Sequence, residues 1–433
     1  MSGTGWMLIA LAYVLLAPVI GCLLSGVDRR LSARMQGRRG PPVMQPYYDV
    51  RKFLEKEQIS SNHVQDLYVG VYLFFVIVTG ILFFSGQDLL LTIFALTLGE
   101  TFLILAAYSS GSPFSQIGAQ RELYAAMSFE PIFLLTAIGF YLETGSFSVS
   151  DIVGSGSVPT VMMAGFLMAF VFGLTMKMRK SPFDLSMSHH AHQDLVRGLT
   201  TEFSGRTLAM IEISHWYENI MLLGMVALFF LDRSGDAGSR AGLPPGDRDR
   251  QRIRQDDLAD RAQERLGGRR RVRASERRDR PVSVRCRKMS YSTKSPWILH
   301  YDASSCNGCD IEVLACLTPL YDVERFGMIN TGDPKQADIL LITGAVNDQN
   351  KEVVKQLYEQ MPNPKVVVAI GICACSGGVF RECYNILGGV DTVIPVDVYV
   401  PGCAARPESI IDGVVKGLTV LEEKRKQMKE GRE

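Results

Sequence analysis

The stretch Lys365-Val-Val-Val-Ala-Ile-Gly-Ile-Cys373 decides the fold of the C-terminal part of this 433-residue chain. Its run of apolar, mostly β-branched residues favours a strand buried on both faces, which is typical of parallel sheets. Similar short runs at 338–343 and 396–400 predict two more such strands. The segments 348–361 and 407–429, the second of which begins with proline, predict helices. This alternation predicts a doubly wound α/β domain.

Cysteine motifs follow the predicted strands. Cys306-Asn-Gly-Cys309 opens the domain, Cys373 follows the strand quoted above, and Cys403 follows the strand at 396–400. Because open α/β sheets bind their ligands at the carboxyl ends of their strands, we expect these four thiolates to converge. A [4Fe-4S] cluster takes four thiolates, one for each iron. The main alternative is zinc, but structural zinc sites usually have two paired CxxC knuckles, and this domain has one pair.

Other side chains near these motifs leave alternatives open. The nine cysteines form no evenly spaced disulfide framework, which favours a reducing compartment. Cys375 competes with Cys373 as a ligand, and we prefer Cys373 because it directly follows the strand and its glycine. Cys316 and Cys383 are interpreted as packing residues, since buried cysteines are common. Glu312, in the helical stretch after the first motif, is either a surface carboxylate or a proton-relay residue.

The N-terminal part of the chain contains six apolar stretches of the length that a transmembrane helix needs. They lie near residues 6–27, 67–85, 89–108, 123–142, 158–176 and 207–231. The loop between the first two is rich in Arg and Lys, whereas no Lys or Arg precedes the first stretch. The positive-inside rule therefore predicts that this loop and the loop 177–206 are cytoplasmic. A polytopic α-helical membrane domain is expected over residues 1–231.

Ionisable side chains within membrane spans are functional candidates, because they are costly in lipid. Glu100 lies in the middle of the third predicted span and Glu130 lies within the fourth. We interpret both as candidates for proton handling. Asp184 and Glu202, both in the predicted cytoplasmic loop, are further candidates for the same path. The loop also contains three histidines, and a solvated, titratable loop is the simpler interpretation of that cluster.

Residues 232–289 have a different composition. They contain 17 of the chain's 32 arginines, one lysine and no aromatic residue, which predicts a disordered linker. Arginine without lysine is also what GC-rich DNA tends to encode in a shifted reading frame. Six crossings that begin outside would leave residue 232 outside, whereas the domain at 290–433 is expected inside. Our hypothesis is that a frameshift or assembly error joined two neighbouring genes and removed membrane helices.

Three motifs of the C-terminal domain carry a family resemblance. They are Cys-Asn-Gly-Cys-Asp-Ile-Glu at 306–312, Gly-Ile-Cys-Ala-Cys-Ser-Gly-Gly at 371–378 and Val-Pro-Gly-Cys-Ala-Ala-Arg-Pro-Glu at 400–408. They resemble the small subunit of energy-converting (Ech-type, group 4) [NiFe] hydrogenases, which is related to the complex I subunit that carries the last iron–sulfur cluster. The resemblance implies a flavodoxin-like iron–sulfur domain with one [4Fe-4S] cluster, next to a [NiFe] centre on a partner chain. Complex I proteins have adjacent cysteines in the first motif, so the two-residue spacing here favours the hydrogenase.

The membrane part resembles another subunit of the same complexes. Its motifs are Gln-Gly-Arg-Arg-Gly-Pro-Pro at 36–42, Arg121-Glu122, Ser-Pro-Phe-Asp at 181–184 and Glu202-Phe-Ser-Gly. They are similar to the subunit that docks the hydrogenase small subunit, the counterpart of the quinone-site subunit of complex I. The resemblance implies eight membrane helices, two more than the apolar stretches. Where the complex I relative has an acidic loop near the quinone, this chain has His189, His190 and His192.

Together these resemblances imply the membrane anchor and the electron-transferring small subunit of an energy-converting hydrogenase. Electrons would pass from ferredoxin through ferredoxin-like cluster subunits to the [NiFe] site of the hydrogenase large subunit, or in reverse, coupled to ion translocation with an antiporter-like membrane subunit. The expected location is the cell inner membrane, in contact with membrane lipid, with the iron–sulfur domain on the cytoplasmic side and no nucleic-acid partner. The alternatives are a complex I-like or formate hydrogenlyase module and a non-redox anchor that only assembles partners.

Overall fold

The structure is a computed structural model that describes residues 3–59, 62–155, 161–178, 198–230 and 294–430. The predicted arginine-rich linker at 232–289 lies outside the described residues, as do Asp184 and the three loop histidines. The domain boundaries at 231 and 290, and the proposed origin of the linker, therefore stay predictions.

Helices make up the N-terminal part of the chain. Their bounds are α1 Gly3–Met35, α2 Gln45–Glu55, α3 His63–Phe84, α4 Leu89–Tyr108, α5 Pro113–Thr144, α6 Val149–Ser155, α7 Val161–Lys177 and α8 Gly205–Leu228. Helices α3, α4, α5, α7 and α8 pack around an apolar interior, in which Tyr72, Leu96 and Phe133 are fully buried. An N-terminal helical domain is thus confirmed.

Each of the six predicted spans overlaps one of these helices. Within the described residues, α1, α3, α4 and α5 are long and apolar enough to cross a membrane. Helix α7 is apolar but shorter, and α8 carries Arg206, Glu212 and Glu218 along its length. The region between the first two spans was predicted only as a basic loop. It contains α2, a short helix with Pro46 in its first turn and buried Val50 and Phe53.

The C-terminal part contains a parallel sheet flanked by helices. Five strands pair in the order β2-β1-β3-β5-β7, all parallel, which is the flavodoxin-like order 2-1-3-4-5 when these strands alone are counted. The bounds are β1 Trp297–Asp302, β2 Ile329–Asn330, β3 Ile339–Thr343, β5 Val366–Ile370 and β7 Val398–Val400, with β4 Val346–Asn347 and β6 Ile386–Gly388 as a separate antiparallel pair. The helices are α9 Gly308–Leu317, α10 Lys351–Gln360, α11 Gly371–Ser376 and α12 Pro407–Glu430. The predicted fold is confirmed.

Both faces of the central strands are buried, as the apolar runs predict. Successive side chains of a strand point to opposite faces, so Val366 and Val368 pack on the side of α9 and α12, whereas Val367 packs on the side of α10 and α11. All five residues of β3 and of β5 are buried. The loops after these strands are therefore held in place by a well-packed support.

The amino-terminal edge of the sheet contacts the membrane part of the chain. Lys52 Nζ and Lys56 Nζ of the α2 region donate hydrogen bonds to the two oxygens of Asp338, at 2.9 and 2.8 Å. Trp297, the first residue of β1, packs edge-on against Phe53. Since a five-residue strand spans roughly 17 Å, the carboxyl edge of the sheet lies about one strand length from this contact.

Candidate functional site

The four predicted cysteine ligands lie at the carboxyl edge of the parallel sheet. Cys306 and Cys309 follow β1, Cys373 lies in α11 directly after β5, and Cys403 follows β7. Parallel strands share one carboxyl edge, so the fold brings these three segments to the same side of the sheet. Each cysteine is thus placed at this edge by the strand that precedes it, and the order of the strands in the sheet brings the cysteines to the same side.

Close contacts join the three segments. Gly371 has a φ of +85°, and a Cβ atom on it would lie 2.5 Å from the Cys309 sulfur and 3.5 Å from the Gly402 carbonyl oxygen. The amide of Ile372 donates to that same carbonyl at 2.9 Å. Glycine is therefore required at 371 both for its backbone conformation and for the space that Cys309 occupies.

The thiols of the site influence one another electrostatically. Burial raises the pKa of Cys309, and the neighbouring Asp310, Cys306 and Cys403 raise it further. Burial also raises the pKa of Cys373, with additional contributions from Cys403, Cys306 and Cys309. The four thiols are therefore electrostatically coupled, and as thiolates they would repel one another unless a cationic centre were bound.

The predicted donor set, four cysteine side chains without histidine or carboxylate, fits the ligands of a [4Fe-4S] cube. Within the described ranges, no group of three or more His, Cys, Asp or Glu side chains is close enough to hold a single ion. In a [4Fe-4S] cube each thiolate binds its own iron, so the four sulfurs stand farther apart than around zinc. Cys306 and Cys403 are exposed, whereas Cys309 and Cys373 are half-buried. These four residues would hold such a cluster at the rim of the domain.

The other cysteines of this domain have different surroundings. The Cys375 thiol points to the Ala369 carbonyl oxygen at 3.7 Å and packs against the core on the α10 side. Cys316 is buried in the opposite core, where burial raises its pKa to about 11. Cys383 is exposed. These surroundings support Cys373 over Cys375 as the ligand, a choice that stays a prediction.

The loop that carries Cys306 and Cys309 is held by short polar side chains. Asp302 accepts hydrogen bonds from the amides of Ser304 and Ser305, at 3.0 and 2.6 Å. Asn307, between the two cysteines, adopts a left-handed conformation with a φ of 63° and donates its amide to Ser305 Oγ at 2.9 Å. The turn is therefore ordered by its own sequence, because Asp, Ser and Asn side chains readily bond to nearby backbone.

A polar network beneath this loop was missed by the sequence reasoning. Asp310, one residue after Cys309, is buried and accepts hydrogen bonds from Ser305 Oγ and from Thr343 Oγ1 of β3, the latter at 2.5 Å. His300 Nε2 of β1 lies 3.0 Å from the same carboxylate. The only sequence signal was an acidic residue directly after a predicted ligand. Glu312, the predicted relay candidate, is half-buried two residues further along α9.

The predicted proton-path carboxylates occupy separate places. Glu100 of α4 is ion-paired with Lys177 of α7, whose Nζ also lies 2.6 Å from Glu218 Oε1 of α8. All three side chains are largely buried. Glu100 is therefore not a lone carboxylate, and Lys177 and Glu218 are members of the cluster that the sequence reasoning did not assign.

Glu130 and Glu202 do not join that cluster. Glu130 of α5 is half-buried, and among the described residues no hydrogen bond or ion pair connects it to Glu100. Glu202 instead forms an ion pair with Lys335 of the C-terminal domain. The position of Glu202 suits contact between the two parts of the chain more directly than a path through the membrane.

Comparison with known proteins matches both parts of the chain. The NADH dehydrogenase family matches residues 7–238, and the NADH ubiquinone oxidoreductase 20 kDa subunit family matches residues 306–417. The second family typically binds an iron–sulfur cluster. The first match covers more than half of the chain.

Individual relatives match the C-terminal part. A probable membrane-bound hydrogenase subunit of Pyrococcus furiosus is 55% identical over 128 residues, which are 30% of this chain and 77% of the relative. Formate hydrogenlyase subunit 7 of Escherichia coli is 39% identical over 143 residues, 33% of this chain and 56% of that protein. A chain in the structure of the membrane-bound sulfane sulfur reductase, an archaeal respiratory membrane complex, is 40% identical over 30% of this chain and 73% of its own length, with a TM-score of 0.28.

The matches fall on the motifs that carry the resemblance noted above, and they confirm it. The apolar helices and the family of the N-terminal part agree with a membrane protein, and the relatives of the C-terminal part are subunits of oxidoreductase complexes. The chain belongs to the family of membrane-bound hydrogenase and complex I-type subunits, with a membrane part of the NADH dehydrogenase family and a C-terminal domain of the 20 kDa subunit family.

Proposed function

We propose that the C-terminal domain holds one [4Fe-4S] cluster on Cys306, Cys309, Cys373 and Cys403 and relays electrons between ferredoxin-fed cluster subunits and a [NiFe] centre on a partner large subunit. The observation that carries this proposal is the convergence of the three cysteine segments around Gly371 at the carboxyl edge of the sheet. When bound, the cluster would supply one-electron transfer. The chain itself supplies four thiolates, a rigid sheet behind them and glycines that let backbone approach.

Two observations favour hydrogen chemistry over quinone reduction. The first motif spaces its cysteines by two residues, as in the hydrogenase small subunit. The relative from Pyrococcus furiosus is named a hydrogenase subunit and is 55% identical, against 49% for an NADH-quinone oxidoreductase relative in Geotalea daltonii. The alternative of a formate hydrogenlyase module rests on the relative in Escherichia coli.

We further propose that the iron–sulfur domain lies on the cytoplasmic side. Both loops that the positive-inside rule assigns to the cytoplasm contact this domain. Lys52 and Lys56 of the first loop bind Asp338, and Thr200 of the second accepts a hydrogen bond from Gln336 at 2.8 Å. The two loops and the domain therefore share one side of the helices, which supports the predicted topology.

Coupling to ion translocation would use charged side chains in the membrane part. Glu100, Lys177 and Glu218 form a compact charged cluster between α4, α7 and α8, where each member stabilises the charge of the next. We propose that protons are handled there, and that Glu130, Asp184 and Glu202 are secondary candidates. Partners would include an antiporter-like membrane subunit.

The two parts of the chain are proposed to work as noncovalent neighbours. The contacts between them include those of Lys52 with Asp338, Glu202 with Lys335 and Thr200 with Gln336, none of which involves residues 232–289. The hydrogenase relative matches 128 residues, which are 30% of this chain and 77% of the relative. Mass spectrometry of the native complex tests this proposal, since peptides that span 232–289 would show that one continuous chain is present.

The redox proposal is tested on the purified complex. Cys403→Ser should abolish the electron paramagnetic resonance signal of the cluster and lower the iron content, whereas Cys375→Ala should leave both unchanged. Hydrogen evolution from reduced ferredoxin, measured beside quinone reduction, separates the hydrogenase from the complex I alternative. If the wild-type complex contained no iron at this site, the only remaining hypothesis would be the non-redox anchor that assembles partners.

A further inference from the structure

Asp310 occupies an unusual position for a carboxylate. It lies in the first turn of α9, directly after Cys309, and only 8% of its surface is exposed. Within the described residues, no Lys or Arg side chain forms an ion pair with it. The ionisable side chain that contacts it is His300, which carries a charge only when protonated. A buried, charged carboxylate is stable only when hydrogen bonds from the protein replace those that it would accept from water.

Those hydrogen bonds come from three separate segments. Thr343 Oγ1, at the end of β3, donates to Oδ1 at 2.5 Å, and His300 Nε2 of β1 lies 3.0 Å from the same oxygen. Ser305 Oγ, in the loop before Cys306, donates to Oδ2. Both oxygens are thus occupied, and the carboxylate ties the middle of the sheet to the cysteine loop.

The network continues to the backbone between two predicted ligands. Ser305 Oγ, which donates to Asp310, also accepts the amide hydrogen of Asn307 at 2.9 Å. Asn307 is the left-handed residue that lets Cys306 and Cys309 face the same site. The connection therefore runs from β3 through Thr343, Asp310 and Ser305 to the turn that sets the spacing of these cysteines.

We propose that Asp310 is a positioning residue of the cluster loop and that its negative charge lowers the reduction potential of the cluster. This inference rests on the proposed [4Fe-4S] function. Adding an electron to a cluster beside a buried carboxylate is opposed by charge repulsion in a poorly screened environment. Net charge and hydrogen bonds around a cluster are the levers by which a protein adjusts its potential.

Two substitutions should move the potential in opposite directions. Asp310→Asn keeps the size of the side chain and removes the charge, so the midpoint potential should become more positive. Thr343→Val keeps the shape of the residue and removes a donor that partly neutralises the carboxylate, so the potential should become more negative. Thr343→Ser, which retains the hydroxyl, should restore the wild-type value.

The measurement is a redox titration of the purified complex at constant pH, followed by electron paramagnetic resonance, with iron content determined on the same samples. Asp348→Asn is the matched control, because Asp348 is an exposed carboxylate of the same domain. If loosening of the loop were the only effect, both Asp310→Asn and Thr343→Val would shift the potential in the same direction, which would overturn the proposal. Unchanged potentials in both variants would also overturn it.

If Asp310→Asn loses the cluster, the proposal is tested by Thr343→Val alone. The midpoint potential of the cluster in that variant must then be more negative than in the wild type. Failure of the proposed [4Fe-4S] function would give a different result. In that case the wild-type complex itself would contain no iron at this site and show no cluster signal.

Discussion

Asp338 is the residue on which two buried lysines converge. Lys52 and Lys56 donate to its two oxygens, and the backbone amide of Trp297 donates to Oδ2 at 2.9 Å. Burial alone would raise the pKa of this carboxyl group, but the two ammonium groups hold it below its usual range. One carboxylate thus neutralises part of a buried positive cluster at the contact between the two parts of the chain.

Removing the charge of Asp338 should therefore be costly. Asp338→Asn would leave two buried lysines without a counter-charge, which typically costs about 3–5 kcal/mol. We expect a lower melting temperature of the purified complex, measured by light scattering or intrinsic fluorescence in detergent. Asp348→Asn, at an exposed site, should change it little. Equal melting temperatures for wild type and Asp338→Asn would contradict this account of the contact.

Lys52 should make the stability of the contact depend on pH. Burial, followed by the nearby Lys56, lowers the pKa of Lys52 to about 8, although Asp338 acts in the opposite direction. An unfolded lysine keeps its ordinary value of roughly 10.4. Between about pH 8 and pH 10 the unfolded state therefore binds more protons than the folded state, so this residue contributes a gain in stability as pH rises through that window.

The test replaces the ammonium group with an apolar group of similar length. Lys52→Met leaves Lys56 and Asp338 as a balanced pair and places its side chain against the Trp297 ring, over which the Lys52 ammonium lies at 4.4 Å. Its melting temperature at pH 7.5 should equal or exceed that of the wild type, and the difference should shrink towards pH 10. Lys416→Met, at an exposed position, is the control. A constant difference across this pH range would exclude the proposed titration of Lys52.

At the residue scale, sequence reasoning succeeds where one residue type at one spacing is sufficient. Four cysteines were assigned to one site, two in the motif that opens the domain and two that follow predicted strands, and the fold brings their segments together. It failed for Lys177, Asp310 and Asp338, because most of their partners lie far away in sequence and ordinary polar residues carry no local signal. Those interactions become visible only in the packing of α7 against its neighbours, of β3 beside the cysteine loop, and of α2 against the amino edge of the sheet.

At the scale of elements, the buried strands were the most predictable. The apolar runs at 338–343, 365–370 and 396–400 became β3, β5 and β7 within two residues at each end. Strand β1 was missed because its sequence, Trp-Ile-Leu-His-Tyr-Asp, becomes polar as it approaches the cysteine loop. Helix α2 was missed because its buried face includes polar side chains that pair with the C-terminal domain, and this pairing is invisible in the sequence.

The packing of α9 against α12 provides a prediction at this scale. An apolar cavity of about 30 Å³ lies between these helices and the sheet, lined by Val313, Cys316, Ile410 and Val414 among others. Cys316→Ala would enlarge it, and we expect a loss of about 1–2 kcal/mol in unfolding free energy, at the low end of the range for buried truncations. Iron content and the cluster signal should not change. Loss of iron in this variant would instead make Cys316 a ligand candidate.

At the scale of the whole molecule, the contact between the membrane part and the C-terminal domain combines two kinds of ion pair. Arg38 pairs with Glu324 and Lys335 with Glu202 at partly exposed positions. The pairs of Lys52 and Lys56 with Asp338 are buried. Exposed pairs contribute little and are screened by salt, whereas buried pairs are screened much less.

This difference predicts how the two parts behave once the chain between them is cut. A specific protease site placed within residues 232–289 should allow cleavage of the purified complex, and both fragments should still elute together in size-exclusion chromatography in detergent. The fragments should remain together at high salt in the wild type, because the pairs on Asp338 are buried. In Asp338→Asn the buried pairs on this carboxylate are lost, whereas the partly exposed pairs, the Arg425–Glu55 pair and apolar contacts such as Trp297 on Phe53 remain. High salt should therefore release more of the C-terminal fragment from this variant than from the wild type. Separation of the wild-type fragments at low salt would mean that covalent linkage, and not this contact, holds the two parts together.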